Sequence, residues 1–195
     1  MNMQRITATC SIRDRVVRKN AETLFANDGA GGERAETLAE FLLSLYEQLG
    51  ANYPRFYKMD PLSKLGWLAT EILVKDSFHK EYYRPDEIGV VLANAHSSLD
   101  TDMKYFETVA TIPSPSLFVY TLPSIVIGEI GIRHQFKGES AFFVADRFDA
   151  VFMETYVRGM MEENILQACI YGWVDLLGEE GEAQLFLIEK KTDKR

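Results

Sequence analysis

The run Thr111–Asp149, TIPSPSLFVYTLPSIVIGEIGIRHQFKGESAFFVADRFD, decides the fold. It opens on Pro113 and Pro115, takes a Leu122-Pro123 step, and passes Gly128, Ile130, Ile132 and Gly138. It then reaches Ala141–Ala145, an unbroken apolar run of strand length. A turn, Ala145-Asp146-Arg147-Phe148, leads into Phe148–Met161. There Phe148, Val151, Phe152, Met153, Tyr156, Val157, Met160 and Met161 recur on nearly every side, which predicts a helix buried all round. Ile165–Val174 reads as a long strand, Gly178–Gly181 as a turn and Gln184–Glu189 as a final strand. Strand–helix–strand alternation with apolar strands predicts an α/β layered domain.

Upstream, Ile6–Val17 is β-rich and reads as one or two strands. Asn27–Gly32 is a glycine-rich loop without the Lys-Ser/Thr of a phosphate-binding loop or the spacing of a dinucleotide fingerprint. Arg34–Leu49 predicts an amphipathic helix, with Leu38, Phe41, Leu42, Leu45 and Leu49 on one face and Gly50 as the stop. Asp60 and Pro61 are an N-cap and first-turn pair for a second helix, whose buried stripe is Leu65, Leu68, Ala69, Ile72 and Leu73. Arg84-Pro85-Asp86 breaks the chain. Ile88–Ala93 then reads as a strand covered on both faces.

The 195 residues suffice for one domain, expected to span 1–195 with 190–195 as a frayed tail. The net charge is −8 and no basic run occurs in the body, which argues against a nucleic-acid partner. No apolar run approaches the roughly 18 residues of a membrane span. The N-terminal residues lack the apolar core of a signal peptide. Cys10 and Cys169 lie far apart in apolar runs, which predicts free buried thiols and a cytoplasmic location. No Cys/His cluster points to a structural metal, and no cofactor is expected.

Four segments, in order, resemble the N-terminal half-domain of the β-ketoacyl-acyl-carrier-protein synthases, which are thiolase-like condensing enzymes. These are Met59-Asp60-Pro61 before a helix, the strand Ile88–Ala93, the approach Pro113–Ala145, and Gly181-Glu182-Ala183-Gln184-Leu185-Phe186-Leu187-Ile188-Glu189. They span roughly two-thirds of the chain. The resemblance implies a thiolase-like half-domain, with a mixed five-stranded sheet flanked by helices. It also implies pairing through the Ala141–Ala145 strand, as a homodimer or as a heterodimer with a full-length ketosynthase, and contact with acyl carrier protein.

In that family a nucleophilic Cys sits on the turn after this strand and accepts the acyl chain as a thioester. Counted from Gly138, the position falls at Arg147, with Asp146 beside it. A guanidinium cannot be acylated. Here Asp146 is expected to cap the helix and Arg147 to face solvent or an acidic partner. The family's second half-domain carries two His and a Lys that drive decarboxylation. The chain, whose histidines are His79, His96 and His134, is expected to lack that half. The resemblance therefore implies a catalytically silent ketosynthase-like protein of fatty-acid- or polyketide-type biosynthesis, a partner of a full condensing enzyme or of acyl carrier protein.

One other constellation stands out. His96-Ser97-Ser98-Leu99-Asp100-Thr101-Asp102 follows a strand end, where α/β folds place sites. It could serve an independent thioester-handling or hydrolytic enzyme through His96, Ser97 or Ser98, and Asp100, or hold a metal through His96, Asp100 and Asp102. No Gly-x-Ser-x-Gly elbow supports a hydrolase. A polar strand-to-helix turn with Ser or Asp caps accounts for the same residues.

Overall fold

The computed structural model describes residues 4–26 and 37–190. The Asn27–Gly32 loop, the expected helix start at Arg34 and the tail from Lys191 lie outside them.

Two antiparallel hairpins open the chain. β1 (Gln4–Arg13) pairs with β2 (Val16–Lys19), and β2 with β3 (Glu22–Ala26). Helix α1 (Leu38–Gln48) follows a reciprocal cap: the Thr37 hydroxyl accepts from Glu40 N at 3.2 Å, and Thr37 N donates to Glu40 Oε2 at 2.8 Å. After a short 3₁₀ turn, Pro54–Lys58, comes α2 (Pro61–Val74). Asp60 caps it, accepting from Ser63 N at 3.0 Å, and Pro61 fills the first turn.

β4 (Ile88–Asn94) is buried along its whole length and leads to α3 (Leu99–Val109), the single turn α4 (Pro115–Phe118) and α5 (Ile125–His134). β5 (Ser140–Val144), α6 (Ala150–Glu162) and the hairpin of β6 (Ala168–Leu177) with β7 (Glu180–Lys190) complete the chain.

The strands form one seven-stranded mixed sheet in the order β3-β2-β1-β7-β6-β4-β5, not the five-stranded sheet expected. β4 runs parallel to both its neighbours, β5 and β6, and the other pairings are antiparallel. The uncounted strands belong to the β2–β3 hairpin, where Arg18, Lys19 and Glu22 interrupt any apolar alternation. A backbone turn at Asn20 and Ala21, both with positive φ, sets that hairpin. Lys190 is no frayed residue either. It closes β7, donating its N–H to Gln167 O at 2.9 Å and its ammonium to Asn164 Oδ1 at 2.8 Å.

The main core lies on the sheet face covered by α1, α2 and α5. Helix α2 is central: Leu65, Trp67, Leu68, Ala69, Ile72 and Leu73 are all buried. Each large aliphatic side chain so placed contributes about 1.5–3 kcal/mol against solvent exposure. Gly66 permits the α2–α5 approach, since a β-carbon there would sit 2.4 Å from Val126 Cγ2.

Along β6 the side chains alternate. Ala168, Ile170, Val174 and Leu176 join this core, while Cys169, Tyr171 and Trp173 join a smaller cluster on the opposite face. α6 covers that second face over β4 and β6. It does so with one stripe, Met153, Val157, Met160 and Met161, while Val151, Phe152 and Tyr156 are exposed. The expected helix buried all round is thus an amphipathic helix whose outer apolar residues stay largely exposed, Phe152 and Tyr156 touching only Phe143 of the sheet among the described residues.

Candidate functional site

Two places collect the residues singled out in the sequence. The first is the corner between β5 and α6. β5 pairs with β4 from Val90↔Ser140 to Asn94↔Val144, and its outer edge has no partner strand among the described residues. Ala145 N donates to Asn94 O at 2.9 Å, which ends the pairing. Asp146 and Arg147 then stand exposed. Among the described residues Arg147 makes no ion pair. Phe148 turns back against Phe186 and Trp173, with ring centroids 6.1 and 6.0 Å away.

The helix cap is Asp149, whose Oδ1 accepts from Phe152 N at 2.9 Å, and not Asp146 as expected. The corner therefore holds no thiol. The edge beside it is aromatic: Phe143 meets Phe152 and Tyr156 edge to face, each at 5.2 Å between centroids.

Both cysteines are buried well away from this corner. Burial pushes the Cys10 thiol up to about 12 against a weak opposing pull from Lys19, and raises Cys169 further. A nucleophilic Cys needs the reverse environment, electropositive and partly open.

The second place is the turn from β4 into α3. Asn94, fully buried, clamps Ser97: its side chain accepts from Ser97 N at 2.9 Å and donates to Ser97 O at 2.8 Å. Ser97 is held at φ 52°, a conformation that non-glycine residues seldom adopt. His96 Nδ1 lies 2.8 Å from Asp175 Oδ2. Asp175 Oδ1 accepts the backbone N–H of Ala95 at 3.1 Å and of His96 at 3.0 Å.

The other residues of the turn diverge. Ser98 Oγ lies 2.9 Å from Thr121 O and 3.1 Å from Asp102 Oδ2. Asp100 binds Lys104 at 2.6 Å and accepts from Gly178 N at 3.1 Å, tying α3 to the β6–β7 turn. His96, Ser97 or Ser98, and Asp100 thus form no Ser/His/Asp relay. Among the described residues, no three His, Cys, Asp or Glu side chains cluster as metal ligands.

The residue that does meet His96 is Asp175. The sign available in sequence was an acid near the end of an otherwise apolar strand. Its partner is set by the parallel register Ala93↔Trp173, which brings the end of β6 beside the end of β4. The His96–Asp175 pair lines a cleft of about 730 Å³ with Arg13, Asp14, Arg15 and the β6–β7 turn.

Comparison with family models and with curated proteins gives no match. Comparison with solved structures does. The ishigamide ketosynthase/chain length factor aligns over 98% of this chain and 63% of its own, at 19% identity and a TM-score of 0.69. A β-ketoacyl synthase from Burkholderia phymatum STM815 aligns over 98% and 60%, at 12% identity and 0.66. The ketosynthase ApeO with its chain length factor ApeC, from Xenorhabdus doucetiae, aligns over 99% and 81%, at 12% identity and 0.53. The chain therefore has the fold of ketosynthases and their chain length factors. It spans under two-thirds of the length of the first and second of these.

Proposed function

We propose that this chain is a ketosynthase-fold subunit that carries no acyl group itself. It serves polyketide- or fatty-acid-type chain synthesis as the partner of a complete condensing enzyme, with acyl carrier protein as a further contact. The observation that carries this reading is the β5–α6 corner, where strand, turn and capped helix are in place and the turn offers Asp146 and Arg147 in place of a thiol. In this reading Arg147 stands where a condensing enzyme holds its nucleophile. The loss of condensation follows, because the reaction needs an acylatable group beside its transition-state stabilisers.

The partner role is supported by the open edge of β5 and by the exposed Val144, Val151 and Phe152 around it. An unpaired strand edge flanked by apolar side chains favours a second chain. It is also supported by the neighbours in fold, which include a ketosynthase with its chain length factor and a type II PKS acyl-carrier protein in complex with its ketosynthase.

The test is coexpression of the tagged chain with a complete type II ketosynthase. The expected result is a stoichiometric complex that elongates malonyl units, with the chain itself unacylated by intact mass. A strictly monomeric chain that leaves the ketosynthase unbound, or malonyl-dependent extension by the chain alone, overturns the reading.

A further inference from the structure

The His96–Asp175 pair has no part in the role just proposed, yet it is built as a proton-transfer device. The carboxylate is largely buried, with 13% of its side chain exposed, while the imidazole is 40% exposed in the cleft. Asp175 is fixed by two backbone N–H groups and directs its second oxygen at His96 Nδ1. A carboxylate accepts, so Nδ1 carries the proton and Nε2 presents its lone pair. Among the described residues Nε2 has no hydrogen-bond partner. The Asn94 clamp holds Ser97 in its unusual backbone conformation immediately after the histidine, so the turn that carries the ring is over-determined. The pair stands at the carboxyl ends of two parallel strands, where open α/β sheets place ligands.

We propose that His96 is a general base that hydrolyses short activated acyl esters and thioesters in this cleft. Nε2 takes a proton from water as the water oxygen bonds to the acyl carbon, and the carbonyl electron pair moves onto its oxygen. Arg13 lines the same cleft. One guanidinium nitrogen is engaged by Glu182 at 2.9 Å, which leaves other N–H groups to meet that oxygen. Collapse of the adduct breaks the bond to sulfur, and the leaving thiolate recovers the proton from Nε2. A carboxylic acid and a thiol result. Asp175 is the positioning residue, holding the ring in one tautomer. The lining points to a short acyl group: among the described residues Leu177 is its one large apolar side chain, against Arg13, Arg15, Asp14, Glu179, Glu180 and Glu182. The inference rests on the cleft alone and stands or falls apart from the pairing with a ketosynthase.

The test incubates the purified full chain with S-acetyl-N-acetylcysteamine and with p-nitrophenyl acetate, following released thiol or phenolate. The expected rate exceeds buffer and falls about 100-fold in His96→Ala. Asp175→Asn lowers it as well and changes the pH profile. An octanoyl thioester reacts more slowly than the acetyl one. Equal rates for the wild type and His96→Ala overturn the proposal. If His96→Ala loses its fold by circular dichroism, diethyl pyrocarbonate replaces it. Activity must then fall in step with His96 modification mapped by mass spectrometry, and activity retained after full modification overturns the proposal.

Discussion

Arg55 closes a two-point ion pair over Glu129, with Nε 2.7 Å from Oε2 and Nη2 3.0 Å from Oε1. Glu129, on α5, is 1% exposed, and the Tyr120 hydroxyl donates to the same Oε1 at 3.0 Å. Three separate parts of the chain therefore meet on one buried carboxylate: the Pro54–Lys58 turn, the residues after α4, and α5. Removing a partner from a buried charge costs about 3–5 kcal/mol when both ions are buried. Arg55 is half exposed, so water replaces part of what is lost. Arg55→Ala is expected to cost about 2 kcal/mol in urea unfolding. Tyr120→Phe, which removes one neutral donor, is expected to cost about 1 kcal/mol. Equal stabilities for Arg55→Ala and the wild type would remove Glu129 from the framework.

Glu71 is expected to carry part of the acid sensitivity of the fold. Burial alone pushes its carboxyl up, but His134 Nε2 at 3.1 Å and Arg133 Nε at 2.8 Å outweigh burial and hold it at about 2. A folded-state value below the unfolded one of about 4.5 stabilises the protein above that pH. The contribution is lost as pH falls from about 4.5 toward 2, and is of order 3 kcal/mol in total. Urea midpoints taken from pH 6 to pH 3 are expected to fall steeply for the wild type and less for Glu71→Gln. Parallel slopes for the two would show that other carboxylates carry the acid transition.

On α6 the two neighbours Phe152 and Met153 face opposite ways, the first 47% exposed and the second 1%. Met153→Ala opens a cavity between helix and sheet and is expected to cost about 2–5 kcal/mol. Phe152→Ala removes a ring that water already reaches and one edge-to-face contact with Phe143, so about 1 kcal/mol is expected in thermal melts. If the exposed face is an interface, the same Phe152→Ala weakens association far more than it lowers stability. Sedimentation reads the first effect and melting the second.

What sequence reading reached, and what it missed, divides along physical lines. β4 was legible because a strand buried on both faces is apolar at every position. The start of α2 was legible because Asp60 and Pro61 act within one turn of themselves. The extent of burial on α6 was not, since apolar periodicity reports what a side chain avoids and not what covers it. Nor was the cap: Asp146 and Asp149 are both acids in one short turn, and only the backbone path selects Asp149. The partner of His96 was hidden for a further reason. Asp100 is near in sequence, but α3 carries it round to Gly178, while Asp175 arrives through strand register from 79 residues away.

The two native thiols are expected to be inert while the chain is folded. With the Cys10 thiol raised to about 12, the thiolate fraction at pH 8 is about one in ten thousand, and Cys169 is lower still. Iodoacetamide at pH 8 should leave both unmodified over hours in the native protein and alkylate both within minutes in urea. Arg147→Cys places a thiol on the exposed turn before α6, where no buried charge is lost and no apolar contact is broken. That variant should keep its melting temperature and be alkylated once, at position 147, under native conditions. Incubated with an acyl thioester it should slowly form an S-acyl thioester at that site, releasing the donor thiol, without any malonyl-dependent extension, because exposure alone supplies none of the groups that decarboxylation requires. Native alkylation of Cys10 or Cys169 at a rate comparable to Arg147→Cys would show that one of the buried thiols opens to solvent, and would make that cysteine the acyl acceptor to examine.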